Sequence, residues 1–297
     1  MARKIIVLGA GMVGVSVAWH LVRRGHDVTL VDRREPGLET SFGNAGIIQR
    51  EAVRPYAFPR DVATLLRVVP NRQVDIRYRP TGMLSAAGPL LDYWLNSSGK
   101  RYERIVNEWA SLIMRCQDAH APMIEAAGAE ALVRKGGWLE LYRTQKELEE
   151  RQQEAQENHE RFGVTYEVLD AEALYAKEPH LGKGLVGAIH WTQPWMVSDP
   201  GGLVQAYARS FAEQGGQVMK ASVEDVRQVE GGWQVDTSEG PMEAEEVVVA
   251  LGPWAGELLG RLGMKVPLFV KRGYHMHYSA EGEAKLNHWV MDAEKGF

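Results

Sequence analysis

Gly9, Gly11 and Gly14 follow the short apolar run Lys4–Leu8 directly, and Asp32 closes the next apolar run about twenty residues later. These residue types at this spacing suit the grip on a nucleotide pyrophosphate. The first glycine allows a tight turn, the second lets backbone approach the phosphates, and the third lets a helix sit close on a sheet. The helix N-terminus then offers free N–H groups to the anion. A carboxylate at position 32 can accept hydrogen bonds from an adenosine ribose. It would repel a 2′-phosphate, which argues against NADP. An ordinary strand-to-helix turn needs only part of this pattern, whereas here strand, turn, helix and acid all agree. The turn by itself does not separate NAD from FAD.

The flanking sequence supplies the elements that would position these groups. Val13, Val17, Ala18, Leu21 and Val22 form an apolar stripe at helical spacing, Gly25 is a natural stop, and residues 28–31 read as a second buried strand. A polar loop, 39–46, follows. Residues 51–99 are rich in Pro and Arg with short apolar clusters, and one long helix is expected over 100–126, with Cys116 as a small core residue. Residues 136–142 alternate like a strand. The highly polar stretch 144–161 reads as a solvated helix opened by a Thr144/Glu147 capping box. After a strand at 185–191, Asp199 and Pro200 start a helix with Leu203, Val204, Tyr207, Ala208 and Phe211 on its buried face. Strands are expected at 217–221, 224–229, Gly232–Thr237, 245–251, 266–278 and 288–291.

Bulk properties narrow the function classes. A chain of 297 residues can bury a large core and form two lobes. The net charge is −5, and Lys and Arg are scattered with no basic run or aromatic platform, so nucleic-acid binding is not expected. One cysteine excludes an internal disulfide and a cysteine-rich metal site. There is no stretch of membrane-span length, and the first strand starts almost at Met1, leaving no room for a signal peptide. The expectation is a cytoplasmic protein, with peripheral contact to the inner membrane left open.

Residues 247–252, VVVALG, shift the reading towards FAD. A late buried strand ending in small residues lets backbone approach a second part of an extended dinucleotide, although an ordinary central strand would look the same. With GAGMVGVSVAWHLVRRGHDVTLVDR at the start, LETSFGNAG at 38–46, SDPGGLV at 198–204, VVVALGPWA at 247–255 and VPLFVKRGYHMHY at 266–278, the whole chain resembles the D-amino-acid oxidase/dehydrogenase-like family of FAD-dependent oxidoreductases, nearest to its bacterial D-amino-acid dehydrogenase branch. The resemblance implies an α/β fold with an α+β insertion: a two-lobed FAD-binding Rossmann-like fold with a β-rich substrate domain. Residues 1–50 and 198–265 would form the FAD lobe, and 51–197 with 266–297 the substrate lobe. Family members continue for roughly another third of their length, which implies that this chain is a C-terminally truncated piece.

Carried over by position, Gly9, Ala10, Gly11, Met12, Val13 and Gly14 would hold the pyrophosphate, Asp32 the ribose, and Arg33 would lie on the adenine side. Ser41, Asn44, Ala45 and Gly46 would line the path to the isoalloxazine. The Val223 backbone would read adenine, with Leu251 and Gly252 nearby. Tyr274, His275 and His277 would line the substrate pocket. Strand alternation would set Tyr274, Met276 and Tyr278 opposite the two histidines, and either face could meet the flavin. A structural role for the histidines remains open. They lack a third ligand at sensible spacing, so no metal is expected. His190, Trp191 and Trp195 could form a substrate lid or belong to a core, and Arg50 could meet an anionic substrate. The implied reaction is oxidative deamination of a D-amino acid. Hydride passes from Cα to flavin N5, and the imino acid hydrolyses to a 2-oxo acid and ammonia, with a quinone or another acceptor taking the electrons. No dedicated protein base is needed if the amine binds neutral. Two alternatives stand beside it: a sarcosine, glycine or cyclic-imino-acid oxidase of the same family, and a non-catalytic dinucleotide-binding fragment or subunit.

Overall fold

A computed structural model describes residues 1–60, 66, 69–71, 78–268, 273–280 and 282–294. The N-terminal third contains β1 (Lys4–Leu8), α1 (Met12–Arg23), β2 (Asp27–Asp32), β3 (Ile47–Ile48), α2 (Pro80–Asn96) and α3 (Gly99–Ile113). Next come α4 (Cys116–Ala126), β4 (Val133–Lys135), β5 (Trp138–Tyr142), α5 (Gln145–Phe162), β6 (Tyr166–Asp170), α6 (Ala171–Lys177), β7 (Gly187–Trp191) and β8 (Trp195–Val197). The last part holds α7 (Pro200–Glu213), β9 (Gln217–Lys220), β10 (Val223–Val229), β11 (Gly232–Thr237), β12 (Gly240–Ala244), β13 (Glu246–Val249), α8 (Ala255–Arg261) and β14 (Trp289–Asp292). The chain divides into two compact units, one made of residues 1–46, 118–134 and 197–277, the other of 47–117, 135–196 and 278–297.

The first unit is built on a parallel sheet in the order β13-β1-β2-β9. Residues 5–8 of β1 are fully enclosed, as expected of a central parallel strand covered on both faces. An antiparallel meander, β10-β11-β12, adds Val226, Val235 and Ala244 to a core that also takes in Ile6, Leu8 and Val31. Helix α1 packs against α7, and Trp19 Nε1 donates to Ser210 Oγ at 3.1 Å. The buried side of α1 is Gly14, Val15, Ala18 and Trp19, while Val13 is 67% exposed. The stripe expected from periodicity is therefore turned, because a helix apolar on most sides leaves its phase to be set by packing partners. Helix α7 has the buried face read from sequence, and Asp199 Oδ1 accepts from Gly202 N–H at 2.8 Å as its N-cap.

The second unit centres on the mixed sheet β14-β5-β7-β6. Alternation along β5 sends Trp138 and Tyr142 into one core cluster and Leu139 and Leu141 into another, so every residue of β5 is buried. His190 and Trp191 lie in the buried strand β7 and form no lid. Trp191 Nε1 donates to Glu140 Oε2, while the His190 ring nitrogens face Glu167 and the Gly136 carbonyl. The Thr144/Glu147 capping box opens α5 as expected.

Three expectations are corrected. The long helix over 100–126 breaks between α3 and α4, and Arg50 donates to the Met114 carbonyl freed at the break, a use for Arg50 within the fold. Cys116 is half-buried at the start of α4 rather than in the core. Among the described residues of 266–278 there is no strand, and no ladder partner lies beside them. The final strand does form as β14, parallel to β5, and fully buried Glu178 anchors the chain just before it. Its carboxylate accepts from the Asn287 backbone at 2.9 Å and pairs with His288 Nδ1 at 2.6 Å.

Glu51 is the one buried side chain among the described residues with an unpartnered polar atom. Oε1 accepts from Trp138 Nε1 at 2.8 Å, but Oε2 has no donor. Burial pushes its carboxyl up from 4.5 to about 7, against the opposing pull of the Trp138 hydrogen bond. A raised folded-state value means that this contribution to stability is full at low pH and is lost as pH rises through about 7. Glu51→Gln should therefore leave the urea midpoint near wild type at pH 5 and raise it at pH 8, with a gain in unfolding free energy of at most roughly 3 kcal/mol. Parallel wild-type and variant midpoints across this range would contradict the assignment.

Candidate functional site

The end of β1, the start of α1 and the end of β13 meet at one point in the first unit. Gly9 has φ +104°, and a Cβ there would stand 2.4 Å from the Ala250 carbonyl oxygen. A Cβ on Gly14 would stand 1.7 Å from the Gly9 carbonyl oxygen. Both glycines are thus demanded by the protein's own packing. Gly11 is different, because its nearest neighbour would be Ser41 Oγ at 3.7 Å, ordinary contact. The fold itself does not require glycine at 11, and the space over it is open to a ligand. Among the described residues no acceptor faces the N–H groups of Gly11, Val13 and Gly14, as at any helix start awaiting a cap or an anion.

Asp32 projects into this turn from the end of β2. Its Oδ2 accepts from Ala10 N–H at 2.7 Å and its Oδ1 from Arg34 N–H at 3.0 Å. The carboxylate therefore fixes both the turn and the following loop, and each oxygen keeps a lone pair for a hydroxyl donor. Arg33 lies over the Trp254 ring at 4.4 Å and bonds Glu39 Oε1 through Nε and Nη2. Trp254 and Glu39 were not singled out from sequence, although Trp254 stands in the GPWA stretch that was.

The loop 39–46 is tied to the turn through Ser41 Oγ, which accepts from Met12 N–H at 3.2 Å. Asn44 shapes the loop locally, its Nδ2 donating to the Ser41 carbonyl and its Oδ1 accepting from Gly46 N–H. The Gly46 carbonyl accepts from Val197 N–H at 2.7 Å, and Ala45 lies between these anchors. Leu251 stands beside Gly9 and Gly252 follows it at φ +55°, while Val223 opens β10 opposite Thr237.

The three pocket candidates divide. His275 lies against the loop, its ring where a Cβ on Gly43 would be and edge-on to Phe42 at 5.9 Å, and His277 is ring-to-ring with His275 at 5.2 Å. Tyr274 is 89% exposed. With no strand formed there, the expected two-faced alternation does not sort these side chains. No group of His, Cys, Asp and Glu among the described residues could hold a metal ion.

A family model described as DAO, FAD dependent oxidoreductase, covers residues 4–296. A D-amino acid dehydrogenase of Cereibacter sphaeroides (strain ATCC 17029 / ATH 2.4.9) is 34% identical over 279 residues, 91% of this chain and 63% of that protein. One from Rhizobium rhizogenes (strain K84 / ATCC BAA-868) is 32% identical over 282 residues, 92% of this chain and 67% of that protein. Among solved structures, glycine oxidase from Geobacillus kaustophilus shares the fold with a TM-score of 0.60 at 20% identity, covering 89% of this chain and 59% of that one. L-proline dehydrogenase from P. horikoshii gives 0.63 at 16% identity, over 99% of this chain and 65% of that one.

The steric contrast between the glycines is testable. Gly14→Ala should lose several kcal/mol of stability or fail to fold, since backbone must move to admit the methyl group. Gly11→Ala should melt within a degree or two of wild type yet retain at least about tenfold less flavin, read from visible absorbance after desalting. Full flavin retention in Gly11→Ala would show that the space over Gly11 is not the phosphate seat.

Proposed function

The chain belongs to the DAO family of FAD dependent oxidoreductases, and on that premise we propose that it is the larger part of an FAD-dependent D-amino-acid dehydrogenase. It spans 63% of the first relative's length, so the activity proposed is that of the whole protein. The observation that carries the reading is Gly11, the one glycine of the opening turn that protein packing does not require.

The residues present fit FAD. Gly11, Val13 and Gly14 would donate backbone N–H groups to the pyrophosphate, and Asp32, already fixed by Ala10 and Arg34, would accept from the ribose hydroxyls. Ala10 and Met12 shape the turn between them. Arg33, held over the Trp254 ring, would border the adenine, with the Val223 backbone and the Leu251–Gly252 turn closing that end. Ser41, Asn44, Ala45 and Gly46 would lead towards the reactive end of the cofactor. When bound, the flavin supplies the hydride acceptor for the substrate Cα–H. His275, lying on Gly43 beside Phe42, is then the candidate of the three best placed to meet a substrate, with His277 behind it and Tyr274 at the exposed margin. A D-amino acid would be the substrate and a quinone or similar acceptor would receive the electrons. The relatives' names favour a dehydrogenase over an oxidase of the same family.

An anaerobic absorption spectrum of the purified protein, before and after D-amino acids, tests this. Flavin bands that bleach with a D-amino acid and recover with a quinone analogue, without hydrogen peroxide, are the expected result. Peroxide on exposure to air would favour the oxidase alternative. A colourless protein that takes up NAD would overturn the assignment, and adenine-nucleotide binding without flavin or bleaching would favour the non-catalytic reading.

A further inference from the structure

The end of β2 carries two opposite signals side by side. Asp32 is the acid that accepts from ribose hydroxyls and repels a 2′-phosphate. Arg33 and Arg34 follow it directly, and an arginine in this neighbourhood is the group that accommodates a 2′-phosphate. A guanidinium fork matches phosphate oxygens in both charge and shape. Left to themselves, two arginines would cancel the repulsion that Asp32 supplies.

Glu39 settles the conflict. Its Oε1 accepts from Arg33 Nε at 3.1 Å and Nη2 at 2.9 Å, and it lies 3.1 Å from Arg34 Nε. The Glu39 side chain is 22% exposed, whereas those of Arg33 and Arg34 are 46% and 59% exposed. The carboxylate is therefore the sheltered partner on which both guanidiniums converge. Its place is set by the chain around it, because Ser41 fastens the same loop to Met12 at the start of α1. The Trp254 ring backs the Arg33 guanidinium at 4.4 Å. Lys220, the register partner of Asp32, is engaged separately by Glu35 at 3.1 Å. Asp32, Glu35 and Glu39 thus balance Arg33, Arg34 and Lys220, and loss of Glu39 would leave a cation in excess. Exposed ion pairs add little to stability, so the main effect of Glu39 is on where these guanidiniums sit.

We propose that Glu39 determines nucleotide specificity at the adenosine end of the site. By engaging Arg33 and Arg34 it withholds both guanidiniums from the ribose, and the Asp32 charge then excludes adenine nucleotides phosphorylated at the 2′ position. The inference rests on the reading of the Gly9–Asp32 turn as the adenosine seat of FAD. An ion pair that only braced the loop would weaken phosphorylated and unphosphorylated ligands alike, whereas this role changes their ratio.

ADP-ribose and 2′-phospho-ADP-ribose differ only in that phosphate, and their competition with FAD tests the proposal. Each is titrated into dilute purified protein, and displaced flavin is read by its fluorescence. Wild type should yield flavin to ADP-ribose at far lower concentration than to the 2′-phospho form. Glu39→Gln should narrow that preference at least about tenfold. Adding Arg33→Ala and Arg34→Ala to Glu39→Gln should restore it. If Glu39→Gln purifies without flavin, calorimetric titration with the same two nucleotides gives the ratio directly. An unchanged ratio in Glu39→Gln, or a narrowed one that persists without the arginines, would overturn the role of Glu39 and leave the adenosine seat standing. Flavin that ADP-ribose fails to displace from wild type would overturn the seat, and the proposal with it.

Discussion

The crowding of three backbone segments around Gly9 is the constraint on which the first unit depends. The Ala250 carbonyl lies on one side of Gly9, and Gly14 presses on its own carbonyl from the other. Strand β13, strand β1 and helix α1 therefore converge at distances that no side chain permits. This convergence aims the α1 N-terminus and holds Asp32 within reach of Ala10. The features the proposed cofactor would meet follow: a helix start with free donors among the described residues, a fixed carboxylate and an open space at Gly11. Nothing in that arrangement needs a long, flexible side chain, so the proposed grip would be set before a ligand arrives.

The second unit relies on a different device, carboxylates enclosed among indoles. Glu140 Oε2 accepts from both Trp191 Nε1 at 2.9 Å and Arg151 Nε at 3.0 Å. Glu51, bonded to Trp138, has only half its needs met. A buried carboxylate stays charged only where enough donors replace lost water, and Glu51 Oε2 lacks them. Glu178 belongs with Glu140, because its bonds to Asn287 and His288 justify its burial.

What could be read from sequence was local. The glycine turn, the Thr144/Glu147 box and the Asp199 cap are each defined by a few adjacent residues, and each forms as read. The buried face of α7 was legible because polar residues on its other side fix the phase. Helix α1 lacks that contrast, so only its contact through Trp19 and Ser210 decides which side is inside. The break after Ile113 is marked by an arginine more than sixty residues earlier, and the role of His190 depends on Glu167 and Gly136, neither of which a one-dimensional pattern connects to it. The tyrosine and histidines at 274–278 alternate like a strand, but alternation without a ladder partner makes no strand.

The register of the parallel sheet also sets a clock. Ile5 of β1 lies beside Glu246 of β13, so one edge of the first strand waits for a partner about 240 residues away. At roughly 5–20 residues per second that interval is on the order of 10–50 s of synthesis. Throughout it the apolar β1, already beside β2, presents an open hydrogen-bonding edge. The emerging chain must survive a long period as an unfinished sheet, and its yield in a cell will depend on what shields that edge while the ribosome works.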